Sequence, residues 1–161
     1  MSNTTNTILI ADDSEEDVEL LLWSLRNNGI INPVQIVRDG KQAMEYLFGH
    51  GPYADRKQFP FPGILLLDLR MPNMDGFEVL ALLGKDPQFR RMLIVVLTGH
   101  DERHFITRAY DLGANSFLTK PVYDVELHNL IDFFKGWWTV EQPDKNSKSR
   151  RQNETSGGEP T

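Results

Sequence analysis

The chain contains no cysteine, so it has neither a disulfide framework nor a thiolate metal site, and its composition fits a reducing compartment. It also lacks a long apolar run. The longest uninterrupted stretch, Met92 to Leu97, is far below the ~20 residues a membrane-spanning helix requires, and Met1 to Asn6 has none of the features of a signal sequence. Basic residues are in short supply, with 17 Lys and Arg against 23 Asp and Glu, for a net charge of −6. Residues 141–161 carry four of each sign, so the whole acidic excess falls on the preceding part. Such a surface repels phosphate backbones, and no basic stripe offers a nucleic-acid interface. What remains is ordinary globular usage, 40% hydrophobic over 161 residues, enough for one domain with a real core. The expectation is a soluble, cytoplasmic domain over residues 1–140, followed by a disordered polar tail over 141–161.

Short apolar runs alternate with helical patterns. Thr7 to Ala11, Val34 to Val37, Ile64 to Leu67, Leu93 to Leu97 and Ser116 to Leu118 read as strands with little polar alternation, as strands covered on both faces do. Ser14 with Asp17, and Asp75 with Glu78, resemble helix-starting capping boxes; Gly29 and Asp86-Pro87 supply the stops. Asp101 is expected to cap a fourth helix running to Gly113, and a fifth should span Asp124 to about Trp138. A weaker pattern covers Lys41 to Phe48. Five strands alternating with five helices require a doubly wound α/β fold: a parallel sheet with right-handed crossovers, covered on both sides. Residues 49–62, rich in Gly and Pro, read as a structured surface loop.

In such sheets, ligands bind beyond the carboxyl ends of the strands, beside the point where strand order reverses. Asp12 and Asp13 end the first strand and Asp68 the third; with strand order 2-1-3-4-5 these are neighbours roughly 4.8 Å apart. Two charges about 4 Å apart repel by roughly 4 kcal/mol at an effective dielectric near 20, so cations must be close. Mg²⁺ suits such a pocket because it takes one or two carboxylates and leaves positions for water and phosphate oxygens. Lys120, at the end of the fifth strand, supplies a second cation. Thr98 ends the fourth strand with a hydroxyl, and Gly99 beside it leaves room for a tetrahedral group. Together these residues read as a phosphoryl site in which a carboxylate acts as nucleophile.

The stretches LIADDSEED, ILLLDLRMPNMDGFEVL, VVLTG and ANSFLTKP, in that order, resemble the receiver domain of two-component response regulators, a flavodoxin-like fold, over about residues 7 to 138. The resemblance implies that Asp68 accepts phosphate from a sensor kinase's phosphohistidine. It further implies that Asp13, Asp68 and the Arg70 backbone carbonyl hold Mg²⁺, that Asp12 orients metal-bound water, and that Thr98 and Lys120 bind the phosphoryl oxygens. It implies a cis Lys120-Pro121 bond, and a switch in which Thr98 moves inward and Phe117 follows. Partners then dock on the face of helix four, strand five and helix five, through which relatives also dimerise. The loop before the third strand and the Trp-rich end of the fifth helix resemble stand-alone regulators that work with phytochrome-type sensor kinases, so output is by protein binding or by relay to a histidine phosphotransfer protein.

Two other readings compete with this switch. Phosphohydrolases with a strand-end nucleophilic Asp also use Mg²⁺, but they need an acid-base Asp two residues later, where this chain has Arg70; the protein is therefore expected to act only on its own phosphorylation state. The third reading is a receiver-like binding module that takes no phosphate. Arg70 and His100, two residues beyond Asp68 and Thr98, are expected to overhang the path of hydrolytic water and slow phosphate loss. HDERH (100–104) resembles the HExxH zinc motif, but Asp101 stands where that motif needs Glu. Trp137 and Trp138 are read either as core or as an exposed pair.

Overall fold

The computed structural model describes residues 5–141. Its sheet has five parallel strands in the order β2-β1-β3-β4-β5: β1 (Thr7–Ala11), β2 (Val34–Val37), β3 (Pro62–Asp68), β4 (Leu93–Gly99) and β5 (Ser116–Lys120). The helices are α1 (Glu15–Asn27), α2 (Gly40–Phe48), α3 (Gly76–Leu83), α4 (Ile106–Asp111) and α5 (Asp124–Phe133). This is the flavodoxin-like receiver arrangement.

The absence of polar alternation has a direct structural cause. Along β1, Ile8 and Ile10 enter the layer formed with α1 and α5, while Leu9 and Ala11 enter the opposite layer with α2, α3 and Ala109 of α4. β3 and β4 divide in the same way, with Ile64, Leu66, Val95 and Leu97 on the first side and Leu65, Leu67, Ile94 and Val96 on the second. Both faces of the sheet are therefore core, and each central strand is apolar along its middle on both faces.

The helix starts are local. Ser14 accepts a hydrogen bond from the Asp17 amide (3.3 Å), Asp39 from that of Gln42 (2.7 Å) and Asp75 from that of Glu78 (2.9 Å). The box at Ser14 is one-sided: its own amide donates to Asp12 Oδ1 (2.9 Å), leaving the Asp17 carboxylate free for another partner. After α2, the Arg56 guanidinium donates to the carbonyls of Tyr46 and Leu47, both at 2.8 Å, and Tyr46 Oη donates to the Pro60 carbonyl (2.9 Å). One arginine thus satisfies carbonyls left open at the end of α2 and pins the long loop.

Two helices depart from expectation. Residues His100–Phe105 form 3₁₀ turns and α4 begins only at Ile106, so Asp101 does not cap it. α5 ends at Phe133, with Phe134 leaving helical geometry (φ −112, ψ 51) and a 3₁₀ turn at Lys135–Trp137. Ending early frees the chain to cross to the α1–β2 turn, where Val140 bridges Ile30 antiparallel. Asn32 ties this crossing together: its Nδ2 donates to the carbonyls of Asn6 (2.8 Å) and Trp137 (3.2 Å), and its Oδ1 accepts from the Thr139 amide (2.7 Å). Trp138 is buried in the core and Trp137 is half-buried. The expected disordered tail lies, from residue 142 on, outside the described residues.

Candidate functional site

Asp12, Asp13, Asp68 and Lys120 meet at the carboxyl edge of the sheet. One oxygen from each of Asp12, Asp13 and Asp68 lies within 4.8 Å of the others. Asp12 is 1% exposed and Asp68 5%, a degree of burial that carboxylates tolerate only with partners. Asp68 Oδ1 accepts from the Arg70 amide (3.0 Å) and Oδ2 from Lys120 Nζ (3.1 Å). Lys120 Nζ also stands 2.9 Å from Asp12 Oδ2 and 2.9 Å from Asp17 Oδ2. The Asp12 contact pairs the charges without hydrogen-bond alignment, so Asp12 Oδ2 is a buried oxygen with no hydrogen-bond donor. The Lys120–Pro121 peptide bond is cis.

The electrostatics follow from this crowding. Burial pushes the Asp68 carboxyl up to about 7, against the Lys120 ammonium and the Arg70 amide, which pull it down, while the neighbouring Asp12 charge adds to the rise. Burial works against the Lys120 ammonium too, but its close pairing with Asp12 and Asp17 and the charge of Asp68 outweigh that and raise its pKa. A single lysine shared among carboxylates leaves negative charge uncompensated, and the buried Asp12 Oδ2 meets that lysine as a charge pair without a hydrogen bond. This donor set, carboxylates without nitrogen or sulfur, fits a hard divalent cation.

The turn after β3 is built for close approach. The Gly76 amide donates to the Leu69 carbonyl (3.0 Å), and a Cβ on Gly76 would stand 2.5 Å from the Asp68 carbonyl oxygen. Asn73, at φ 67, occupies the left-handed region and donates to Asp39 Oδ2 (2.9 Å). Together these contacts draw α3 back against the end of β3 and fix the amide of Arg70 beneath Asp68.

Thr98 and Phe117 belong to the other side of the sheet. Thr98 is fully buried and continues the Ile94 and Val96 row; among the described residues its hydroxyl has only a long contact, 3.5 Å, to the Gly99 carbonyl. Phe117 lies half-buried against the same layer, with its ring 6.4 Å from that of Tyr110. The backbones of Val96 and Phe117 are register partners, and Gly99 pairs with Lys120. Arg70 is drawn sideways, paired through Nε with Glu102 Oε1 and lying 6.0 Å over the Phe105 ring. It lines an open cavity of about 570 Å³ with Asp13, Phe77, Phe105 and Arg108. Of His100 only the backbone is described, so its expected shielding role lies outside the described side chains. Sequence reasoning missed Asp17 and Glu102: capping accounted for Asp17 at the start of α1, and Glu102 fell within an expected helix.

Residues 8–132 match the family described as the response regulator receiver domain. The chain belongs to that family. It is 34% identical over 137 residues to "Response regulator Rcp1" of Synechocystis sp., covering 85% of this chain and 91% of that protein. Among solved structures it resembles the phosphorylated cyanobacterial phytochrome response regulator RcpA, with a TM-score of 0.69 and 32% identity over 86% of this chain and 100% of that one. The Mn²⁺-bound form of Rcp1 gives a TM-score of 0.68 and 34% identity over 86% and 99%. This receiver is therefore related over nearly its whole length to single-domain phytochrome response regulators. None of its described helices is long and apolar enough to cross a membrane.

Proposed function

We propose that this receiver is a phosphorylation switch in which Asp68 accepts a phosphoryl group from the phosphohistidine of a sensor histidine kinase of the phytochrome type. A carboxylate oxygen of Asp68 attacks phosphorus, and the donor nitrogen leaves with its electron pair; the Lys120 ammonium and the amides of Arg70 and Gly99 face the transferred oxygens. Mg²⁺, held by Asp13, Asp68 and the Arg70 carbonyl with Asp12 acting through water, would neutralise charge on those oxygens. The observation that carries this reading is the convergence of three carboxylates and Lys120 at one strand-end pocket. Two relatives support it, one solved as a phosphorylated regulator and one in a Mn²⁺-bound form.

The switch reading rests on Thr98 and Phe117, on adjacent strands and the same face of the sheet. A phosphoryl oxygen gives the poorly bonded Thr98 hydroxyl a strong acceptor, and the space it vacates admits Phe117. Phe117 borders a cavity of about 420 Å³ with Tyr110, Leu130 and Phe133. Phe133 is 81% exposed, so a change at Phe117 reaches an apolar surface of α4, β5 and α5. This surface is where the protein would dock on a target, a histidine phosphotransfer protein or a second copy of itself, in the cytoplasm.

The test is incubation with Mg²⁺ and acetyl phosphate, followed by intact mass of the wild type and Asp68→Asn. A gain of one phosphoryl group only in the wild type is expected. Sustained consumption of the donor would favour a phosphohydrolase, and no gain at all an inert binding module.

A further inference from the structure

We propose that Glu102 is an internal anion that occupies the phosphoryl-receiving groups of the resting protein and so sets how fast Asp68 gains and loses its phosphoryl group. The inference rests on the reading of Asp68 as phosphoacceptor.

Glu102 joins the two segments that flank the mouth of the site. Its Oε1 pairs with Arg70 Nε and its Oε2 stands 3.5 Å from the Gly99 amide. Asp68 and Leu97 are register partners, and Arg70 and Gly99 each lie two residues beyond that rung. The carboxylate therefore links the segments that leave β3 and β4, each two residues beyond the rung that carries Asp68. Water does not hold it there: the Glu102 side chain is 14% exposed, whereas its partner Arg70 is 69% exposed. The carboxylate is turned inward and the guanidinium reaches over it.

The groups Glu102 engages, a strand-end amide and a guanidinium, are those that bind phosphoryl oxygens. A phosphoryl group on Asp68 brings further negative charge and needs these donors itself, and two anions cannot share them at close range. Glu102 must then leave Arg70 and Gly99, and Arg70, exposed and lying against Phe105, turns to the phosphoryl oxygens. Because Glu102 sits in the middle of the 3₁₀ turns His100–Phe105, its departure releases the segment leading into α4.

The experiment follows phosphate uptake and loss by intact mass in the full chain with Mg²⁺ and acetyl phosphate, at low and high ionic strength, for wild type, Glu102→Gln, Glu102→Asp, Arg70→Ala and the Arg70→Ala/Glu102→Gln double variant. Gln keeps the shape and can still accept from Gly99, so the first comparison isolates the charge. Glu102→Gln is expected to take up phosphate about fivefold faster and to lose it more slowly, an effect that shrinks at high salt and in the double variant. Glu102→Asp, which keeps the charge on a shorter stem, should fall between wild type and Glu102→Gln. Uptake in Glu102→Gln equal to or slower than wild type overturns the proposal. A wild type that gains no more mass than Asp68→Asn overturns the phosphoacceptor reading itself and this proposal with it, so the two failures are distinguishable.

Discussion

Lys120 Nζ stands as close to Asp17 Oδ2 as to Asp12 Oδ2, 2.9 Å in each case, yet the two carboxylates differ sharply in burial, 34% against 1% exposed. Removing the lysine strands Asp12 in the interior without a cation, whereas removing Asp17 leaves Lys120 two partners. Lys120→Met should therefore cost about 3–5 kcal/mol of stability, and Asp17→Asn under about 1 kcal/mol. Urea unfolding of both variants without divalent metal checks this; equal costs would mean that burial is not what separates the two contacts.

A divalent cation should restore part of what crowding costs. With Mg²⁺ at ten times its dissociation constant, linkage stabilises the native state by about 1.4 kcal/mol, which raises Tm by about 3–6 °C in a domain of this size. Asp13 is exposed, so Asp13→Asn should fold normally and lose most of that rise. Thermal melts with and without Mg²⁺ read it directly; an undiminished rise in Asp13→Asn would remove Asp13 from the ligand set.

The turn that carries the Arg70 amide tolerates no side chain at Gly76. A Cβ there meets the Asp68 carbonyl oxygen at 2.5 Å and the Leu69 Cα at 2.8 Å, both backbone atoms that cannot rotate away. Gly76→Ala should cost about 1–3 kcal/mol and slow phosphate uptake, because the amide under Asp68 moves with the turn. Gly51, whose added Cβ would meet nothing but whose φ is 56, provides a control: Gly51→Ala should affect stability alone.

Tyr46 predicts a response to alkali. Burial pushes its phenol up to about 12 from the usual 10.0, despite the Arg56 charge, which lowers it. The folded state thus holds the proton more tightly than the unfolded chain, so this stabilisation is complete below pH 10 and is lost as pH rises through about 12. Chemical denaturation across that window should show a steeper decline in the wild type than in Tyr46→Phe. Parallel declines would show that other groups govern alkaline unfolding.

Much of this architecture is legible in the sequence because its signals are local. Thr7–Ala11 and Val34–Val37 coincide with their apolar runs, and the starts of α1 and α3 lie where side-chain caps place them. β3, β4 and β5 run on past their apolar cores to include Asp68, Thr98, Gly99 and Lys120, since backbone pairing continues where side chains change character. The misreadings have long-range causes. HDERHF carries helical spacing, yet it forms tight 3₁₀ turns in which Glu102 is engaged with Arg70 and Gly99. α5 keeps its apolar stripe to Trp138 but ends at Phe133, and the chain then turns to the bridge between Ile30 and Val140. Asp17 escaped notice because its amide satisfies a cap while its carboxylate serves Lys120 on a distant strand.

The Asn32 junction has a practical consequence. It gathers residue 6, the α1–β2 turn and residues 137–139 at the amino edge of the sheet, while the acidic pocket opens at the opposite edge, the length of a strand away at ~3.3 Å per residue. A fluorophore, affinity handle or fused protein attached through either end of the described chain would ride on the blunt side of the molecule and leave the approach to Asp68 clear for a large donor.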